Sequence, residues 1–200
     1  MASEDRFDQW KGQVVRLRSV EPADWEQFRE LDREDSEGQR RGFFVPKPLS
    51  NASRETWARG QAERRPADDN DDWGWAIEVV ESGLLAGHMN VHESNRRHGY
   101  FEYGITLGPD FRGKGFAADA VKLVCRHYFG ELRYHRISGI VYAFNSHSQR
   151  FHERFGFVRE GQLREYHFSA GRHHDVFWYG MTASEFWARY PEMRAGPWQG

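Results

Sequence analysis

Asp110-Phe111-Arg112-Gly113-Lys114-Gly115-Phe116-Ala117-Ala118 is the stretch whose reading decides the fold. Before it, residues 98–107 read as a strand, and Gly108-Pro109-Asp110 breaks that strand. After it, Ala117, Ala120, Val121, Val124, Cys125 and Tyr128 recur at helical spacing, which predicts a helix over 115–129. The stretch is therefore a strand-to-helix turn. Its glycines let the backbone adopt otherwise costly angles and come close to a ligand. The helix start that follows offers unpaired N–H groups and the positive end of a dipole, a seat for an anion. Arg112 and Lys114 add positive charge, and together these parts suit a pyrophosphate. The bland alternative is a tight connection with surface charges. The P-loop pattern fails because Phe116 stands where Lys would follow Gly115, and the dinucleotide pattern lacks its three spaced glycines and ribose-binding acid.

Working outward, residues 14–19 alternate as a strand, and Pro22 sits at a favourable early position of a helix over 24–32. Residues 35–52, with Gly38, Gly42, Pro46 and Pro48, read as irregular. Ser53 is placed to cap a helix running to about Arg65. An acidic loop at 66–72 precedes a hairpin of strands 75–80 and 84–92. Past the turn come a strand at 136–143, a helix at 148–155 ended by Gly156, strands at 157–159, 165–169 and 175–182, and a helix at 183–190. The expectation is one α/β (α+β) domain over 12–182, a mixed and mostly antiparallel sheet flanked by helices, with a helix and tail at 183–200.

Composition narrows the function. The chain has 200 residues, 38% hydrophobic and 29% charged, a globular balance, and its net charge of −2 argues against a general nucleic-acid binder. No run approaches the ~20 apolar residues of a membrane span, and the polar start lacks a signal-peptide core, so a cytoplasmic location without membrane contact is expected. The single cysteine, Cys125, excludes an intrachain disulfide framework and reads as a buried small hydrophobe. His88, His92, His173 and His174 could be drawn as metal ligands, but 88–92 reads as a strand, where i and i+4 spacing does not chelate. No metal is expected, and these histidines are assigned to the acceptor pocket or the surface.

With these residues in place, the sequence resembles the GNAT acyltransferase superfamily. Arg112, Gly115 and Ala117 match its signature of Arg or Gln, two residues, Gly, one residue, then Gly or Ala. Downstream, Asn145-Ser146-His147-Ser148 and Gly156-Phe157-Val158-Arg159-Glu160-Gly161 resemble the branch of ribosomal-protein N-terminal acetyltransferases. The resemblance covers about residues 12–182. It implies acetyl-CoA, or another acyl-CoA such as succinyl-CoA, bound between splayed strands at 100–107 and 136–143. The backbone of Arg112, Gly113, Lys114, Gly115, Phe116 and Ala117 would hold the pyrophosphate. Strand backbone at Ile105, Thr106 and Leu107 would pair with the pantetheine arm, and Asn145 and Ser148 would contact the cofactor.

The resemblance implies direct transfer to an amine, which must first lose a proton. Glu102 is the first candidate base, because it lies on the strand before the turn with Phe101 and Tyr103 on the opposite face. Glu160 is the second. The bland reading of Glu102 is a carboxylate facing solvent or pairing with an arginine. For the departing thiolate, many family members place a tyrosine where His152 stands here, a departure that leaves Ser148 as the favoured donor and His152 as either donor or exposed helix residue. A strand N–H near Ile105 would polarise the thioester carbonyl. The acceptor the resemblance implies is a primary amine of a small molecule or a protein N-terminus. Acidic residues at 68–72 with Trp57, Trp73 and Trp75 hint at a cationic or aromatic acceptor, though a solvated loop and core tryptophans are the plainer reading. A non-catalytic acyl-CoA-binding module is the competing function, and a homodimer is compatible with the sequence.

Overall fold

The computed structural model describes residues 8–33 and 48–194; the irregular segment expected at 35–52 falls mostly outside these, as does the end of the tail. Seven strands form one sheet in the order β1-β2-β3-β4-β5-β7-β6. They are β1 (Val15–Arg18), β2 (Trp73–Val79), β3 (Leu85–Asn95), β4 (Tyr100–Leu107), β5 (Arg136–Tyr142), β6 (Val158–Ser169) and β7 (Arg172–Thr182). The helices are α1 (Trp25–Arg33), α2 (Asn51–Ala62), α3 (Phe116–Arg126), α4 (Ser146–Phe155) and α5 (Ala183–Arg189). All neighbouring strands run antiparallel except β4 and β5. The predicted order of elements therefore holds, as does the single domain.

The parallel pair positions the site. β4 and β5 meet only at Tyr100↔Arg136, Phe101↔Ile137 and Glu102↔Ser138. Beyond those residues β4 continues to Leu107 paired with β3, and β5 continues to Tyr142 paired with β7. A sheet whose central strands part in this way opens a V, with Glu102 and Ser138 as the last paired residues at its apex.

The two faces carry different helices. Phe101, Tyr103, Ile137 and Val141 join Ala120, Val121, Val124, Phe155 and Phe186 in the main core, so α3, α4 and α5 cover one face. Val20, Ala58, Ala76 and Leu85, with Trp25, Phe28 and Leu31, form a smaller cluster where α1 and α2 cover the other. Register carries that second face across the sheet: Ala76 pairs with His88, His88 with Thr106, and Thr106 alternates down β4 to Glu102. Burying these apolar side chains stabilises the fold by about 25 cal/mol per Å² removed from water.

Three local expectations change. The helix expected over 115–129 stops being α-helical at Arg126 and finishes as a π-helical turn, His127–Glu131. Ser50, not Ser53, caps α2, with its hydroxyl accepting from the Ser53 amide. The strands expected at 157–159 and 165–169 form one long strand, β6, interrupted by irregular pairing at Arg159/Gly161 and Leu163/His167. Cys125 is buried, and burial pushes its thiol well above the usual range, as suits a core residue.

Candidate active site

The turn after β4 is built around two left-handed glycines. Gly113 has φ +74° and Gly115 φ +84°, and a Cβ at either would meet no atom within 4 Å, so glycine is required there by backbone conformation alone. Gly115 is the N-cap of α3 and brings no side chain to cap it. The first helical hydrogen bond runs from the Asp119 N–H to the Gly115 carbonyl. Among the described residues, the amides of 113–118 donate to no protein acceptor. Residues 113–115 are also exposed. An N-terminal set of orphan amides with this exposure is a ready anion site. Two further contacts steady it. The Arg112 Nε donates to the Leu107 carbonyl at 3.0 Å, which ties the turn back to β4. Asp119 in the first turn of α3 accepts from the amides of Val14 at 2.7 Å and Val15 at 3.0 Å, which fastens α3 to β1.

β4 supplies the cleft wall: Ile105 is half-buried, Thr106 exposed and Leu107 buried. Glu102 sits at the apex with only 16% of its side chain exposed, and burial raises its pKa above the usual carboxylate value. Among the described residues no arginine pairs with it. Its neighbour is His92 on β3, the residue opposite in register, with Nε2 at 3.9 Å from the Glu102 carboxylate. Asn90 lies beside His92, its amide 3.3 Å from Nδ1, and Gly104 leaves the room that the Asn90 side chain occupies. The face around Glu102 is thus polar.

α4 faces the cleft from the β5 side. Asn145 is its N-cap, and its side-chain oxygen accepts from the Ser148 amide at 3.2 Å. That bond gives the Asn-x-x-Ser spacing a mechanical reason, since it places Ser148 in the third position of the helix. Ser148 is half-buried, with its Oγ 3.4 Å from His152 Nδ1. His152 is not an exposed helix residue. It is 5% exposed, its Nδ1 is 2.7 Å from the Ser148 carbonyl, and its Nε2 is 2.9 Å from the Tyr103 hydroxyl. Burial lowers its pKa to about 4, so the ring is neutral near pH 7. Glu160 is exposed and ion-paired with Arg136, which also donates to the Ser138 hydroxyl. Its carboxylate is held at the base of β5, away from the direction in which the V opens.

The histidine and acidic groups make identifiable contacts within the protein. No group of three or more metal-binding side chains occurs among the described residues. His88 is packed against Phe28 and Trp57, and burial lowers its pKa to about 4. His174 packs against Phe144 and His173 against Phe168. In the acidic loop, Asp71 binds Arg96 and accepts from the Tyr134 hydroxyl, and Asp72 accepts from the Ser94 amide. Trp75 is a core residue and Trp57 is surface-exposed. No helix among the described residues is long and apolar enough to cross a membrane. Sequence reasoning missed Tyr103 as a polar participant and Asp119 as a fastener; no local motif marks either.

Residues 15–158 match the family model described as an acetyltransferase (GNAT) domain. A similar protein is the SPbeta prophage-derived uncharacterized N-acetyltransferase YokL of Bacillus subtilis, 33% identical over 88% of this chain and 94% of that one. The putative ribosomal N-acetyltransferase YdaF of the same organism is 28% identical over 86% of this chain and 93% of its own length. Among solved structures, spermidine N-acetyltransferase from Vibrio cholerae in complex with CoA and spermine superimposes with a TM-score of 0.72 at 26% identity, covering 86% of this chain and 97% of that one. Orphan amides at the head of α3, a sheet that parts between β4 and β5, and these matches agree: the chain belongs to the GNAT acetyltransferase family and is an acyl-CoA-dependent N-acetyltransferase.

Proposed function

We propose that the protein transfers the acetyl group of acetyl-CoA to a primary amine that enters on the Glu102 face of the sheet. The observation that carries this reading is the set of amides at 113–118, which point no hydrogen at any described protein acceptor. The pyrophosphate would rest on Arg112, Gly113, Lys114, Gly115, Phe116 and Ala117, and the pantetheine arm would run along Ile105, Thr106 and Leu107 into the V. The apex then receives the thioester. Glu102 takes the proton from the incoming ammonium and passes it to solvent, a task suited to a half-buried carboxylate whose affinity for protons is raised. The amine nitrogen attacks the thioester carbon, whose oxygen is held by a strand N–H near Ile105. The carbon–sulfur bond breaks as the nitrogen gives up its second proton to Glu102, by then deprotonated again, and sulfur leaves as a thiolate that accepts a hydrogen bond from Ser148 and later takes a proton from water. Glu160 and His152 have no direct part in this scheme, since one is spent on Arg136 and the other has both ring nitrogens engaged.

The acceptor class is a compact amine or an exposed protein N-terminus. The related proteins support both, one named for spermidine and one for the ribosome. The test is release of free thiol from acetyl-CoA in the presence of spermidine, spermine, simple alkylamines and peptides with free N-termini. Turnover with any of these supports the reading. Tight acetyl-CoA binding with no thiol release on any amine would replace it with a non-catalytic binding module.

A further inference from the structure

A buried polar contact lies at the apex of the V and involves residues the transfer scheme leaves unused. Tyr103 and Gly139 are the first residues beyond the last β4–β5 pair. A Cβ at Gly139 would stand 3.2 Å from both His152 Nε2 and Tyr103 Cε1, so the absence of a side chain there leaves room for α4's histidine beside β4. The Tyr103 hydroxyl then meets Nε2 at 2.9 Å in a buried setting. Proton positions on the ring follow from the partners. The Ser148 carbonyl, 2.7 Å from Nδ1, can only accept, so Nδ1 carries the hydrogen. Nε2 is therefore bare and accepts from the Tyr103 hydroxyl.

That tautomer has a consequence for Ser148. Its Oγ lies 3.4 Å from the same Nδ1–H, on the ring's donor side. A hydroxyl facing a donor presents a lone pair to it and turns its own hydrogen elsewhere. Its backbone amide is already committed to Asn145, which fixes the start of α4. We infer that the Tyr103–His152 pair is a positioning device that locks the imidazole as an Nδ1–H donor and so aims the Ser148 hydroxyl hydrogen into the cleft, toward the leaving sulfur. His152 touches neither cofactor nor substrate in this account. It moves no proton, and a buried Tyr103 phenolate is never required. The inference rests on the role given to Ser148 under the proposed function.

The experiment measures single-turnover acetyl transfer to whichever amine of the panel above is accepted, together with acetyl-CoA affinity. His152→Leu removes the donor and is expected to slow transfer about tenfold, the scale of one lost hydrogen bond, with acetyl-CoA affinity unchanged. His152→Asn, whose side-chain amide occupies nearly the place of Nδ1–H, is expected to recover most of the rate. In a Ser148→Ala background, His152→Leu should cost nothing further, because the hydroxyl it aims is gone. Tyr103→Phe is the second variant should His152→Leu fail to fold, and its rate loss should likewise disappear without Ser148. Losses that add fully to those of Ser148→Ala, or that fall on acetyl-CoA affinity, would show a merely structural role and overturn the inference. If Ser148→Ala itself transfers at the parental rate, the role of Ser148 fails and the inference with it. If Ser148→Ala is slow and both apex variants are fast, the inference alone fails.

Discussion

Replacing Gly115 by alanine isolates the conformational requirement of the anion site. The added Cβ meets nothing within 4 Å, so no clash contributes. What remains is the cost of a left-handed residue, φ +84°, which for a non-glycine is about 1–2 kcal/mol. α3 cannot turn to relieve it, because Asp119 is bonded to β1 and Ala120 and Val121 are fully buried. Relaxation is confined to residues 113–115, part of the stretch proposed to hold the pyrophosphate. The cost therefore divides in a defined way. A turn that stays left-handed loses stability, and one that relaxes in the unliganded protein loses affinity when the ligand restores it. The sum of the two losses should be about 1–2 kcal/mol, and relaxation throughout would weaken coenzyme A binding by about 5- to 30-fold. Calorimetric titration with coenzyme A and urea unfolding measure the two parts. Gly60→Ala, in the exposed interior of α2 with open space around it, is the control and should gain about 0.5–1 kcal/mol of stability with affinity unchanged. If Gly115→Ala matched the parent in both measurements, the turn would not need its left-handed glycine and the reasoning would fail.

Other perturbations probe the neighbouring parts. Glu102→Gln should bind acetyl-CoA normally and slow transfer by about 10²-fold or more, read from single-turnover rates. The proposed base acts when deprotonated and burial raises its pKa, so the parental rate should climb with pH through a value above that of an ordinary glutamate, and the variant should lack that limb. Asp119→Ala deletes two hydrogen bonds to a charged acceptor and should cost about 2–4 kcal/mol in urea unfolding; a loss below about 1 kcal/mol would contradict its role in tying α3 to β1. Gly139→Ala should cost about 1–3 kcal/mol by overpacking against Tyr103 and His152, and a structure of the variant should show their contact broken.

The sequence carried the parts of the fold that repeat with a period. β2 to β4 and α3 show alternation or helical spacing strong enough to place them within a few residues. β6 was read as two strands because it is a mostly exposed strand at the sheet edge, with no apolar side to mark, and its irregular pairing near Gly161 and Glu165 breaks what alternation there is. The π-helical turn after Arg126 carries the same apolar spacing as an α-helix and left no signature. In the site, the glycine turn and the Asn-x-x-Ser element were legible because each is local, while the capping role of Asn145 shows only in the fold. Partnerships across long separations were not. Glu160 reads from sequence as a second candidate base, and only the fold brings Arg136 of β5 beside it. His152 reads from sequence as either a donor or an exposed helix residue, and only the fold shows it buried beside Gly139 and Tyr103 on other strands. A single sequence shows which residues exist but not which distant residue makes room.

A structure of the protein with coenzyme A bound is the most direct test of the account. The prediction is that diphosphate oxygens lie within hydrogen-bonding reach, about 3 Å, of backbone nitrogens between Gly113 and Ala118, with the pantetheine arm between β4 and β5. A coenzyme seated elsewhere, with those amides still facing solvent, would contradict it.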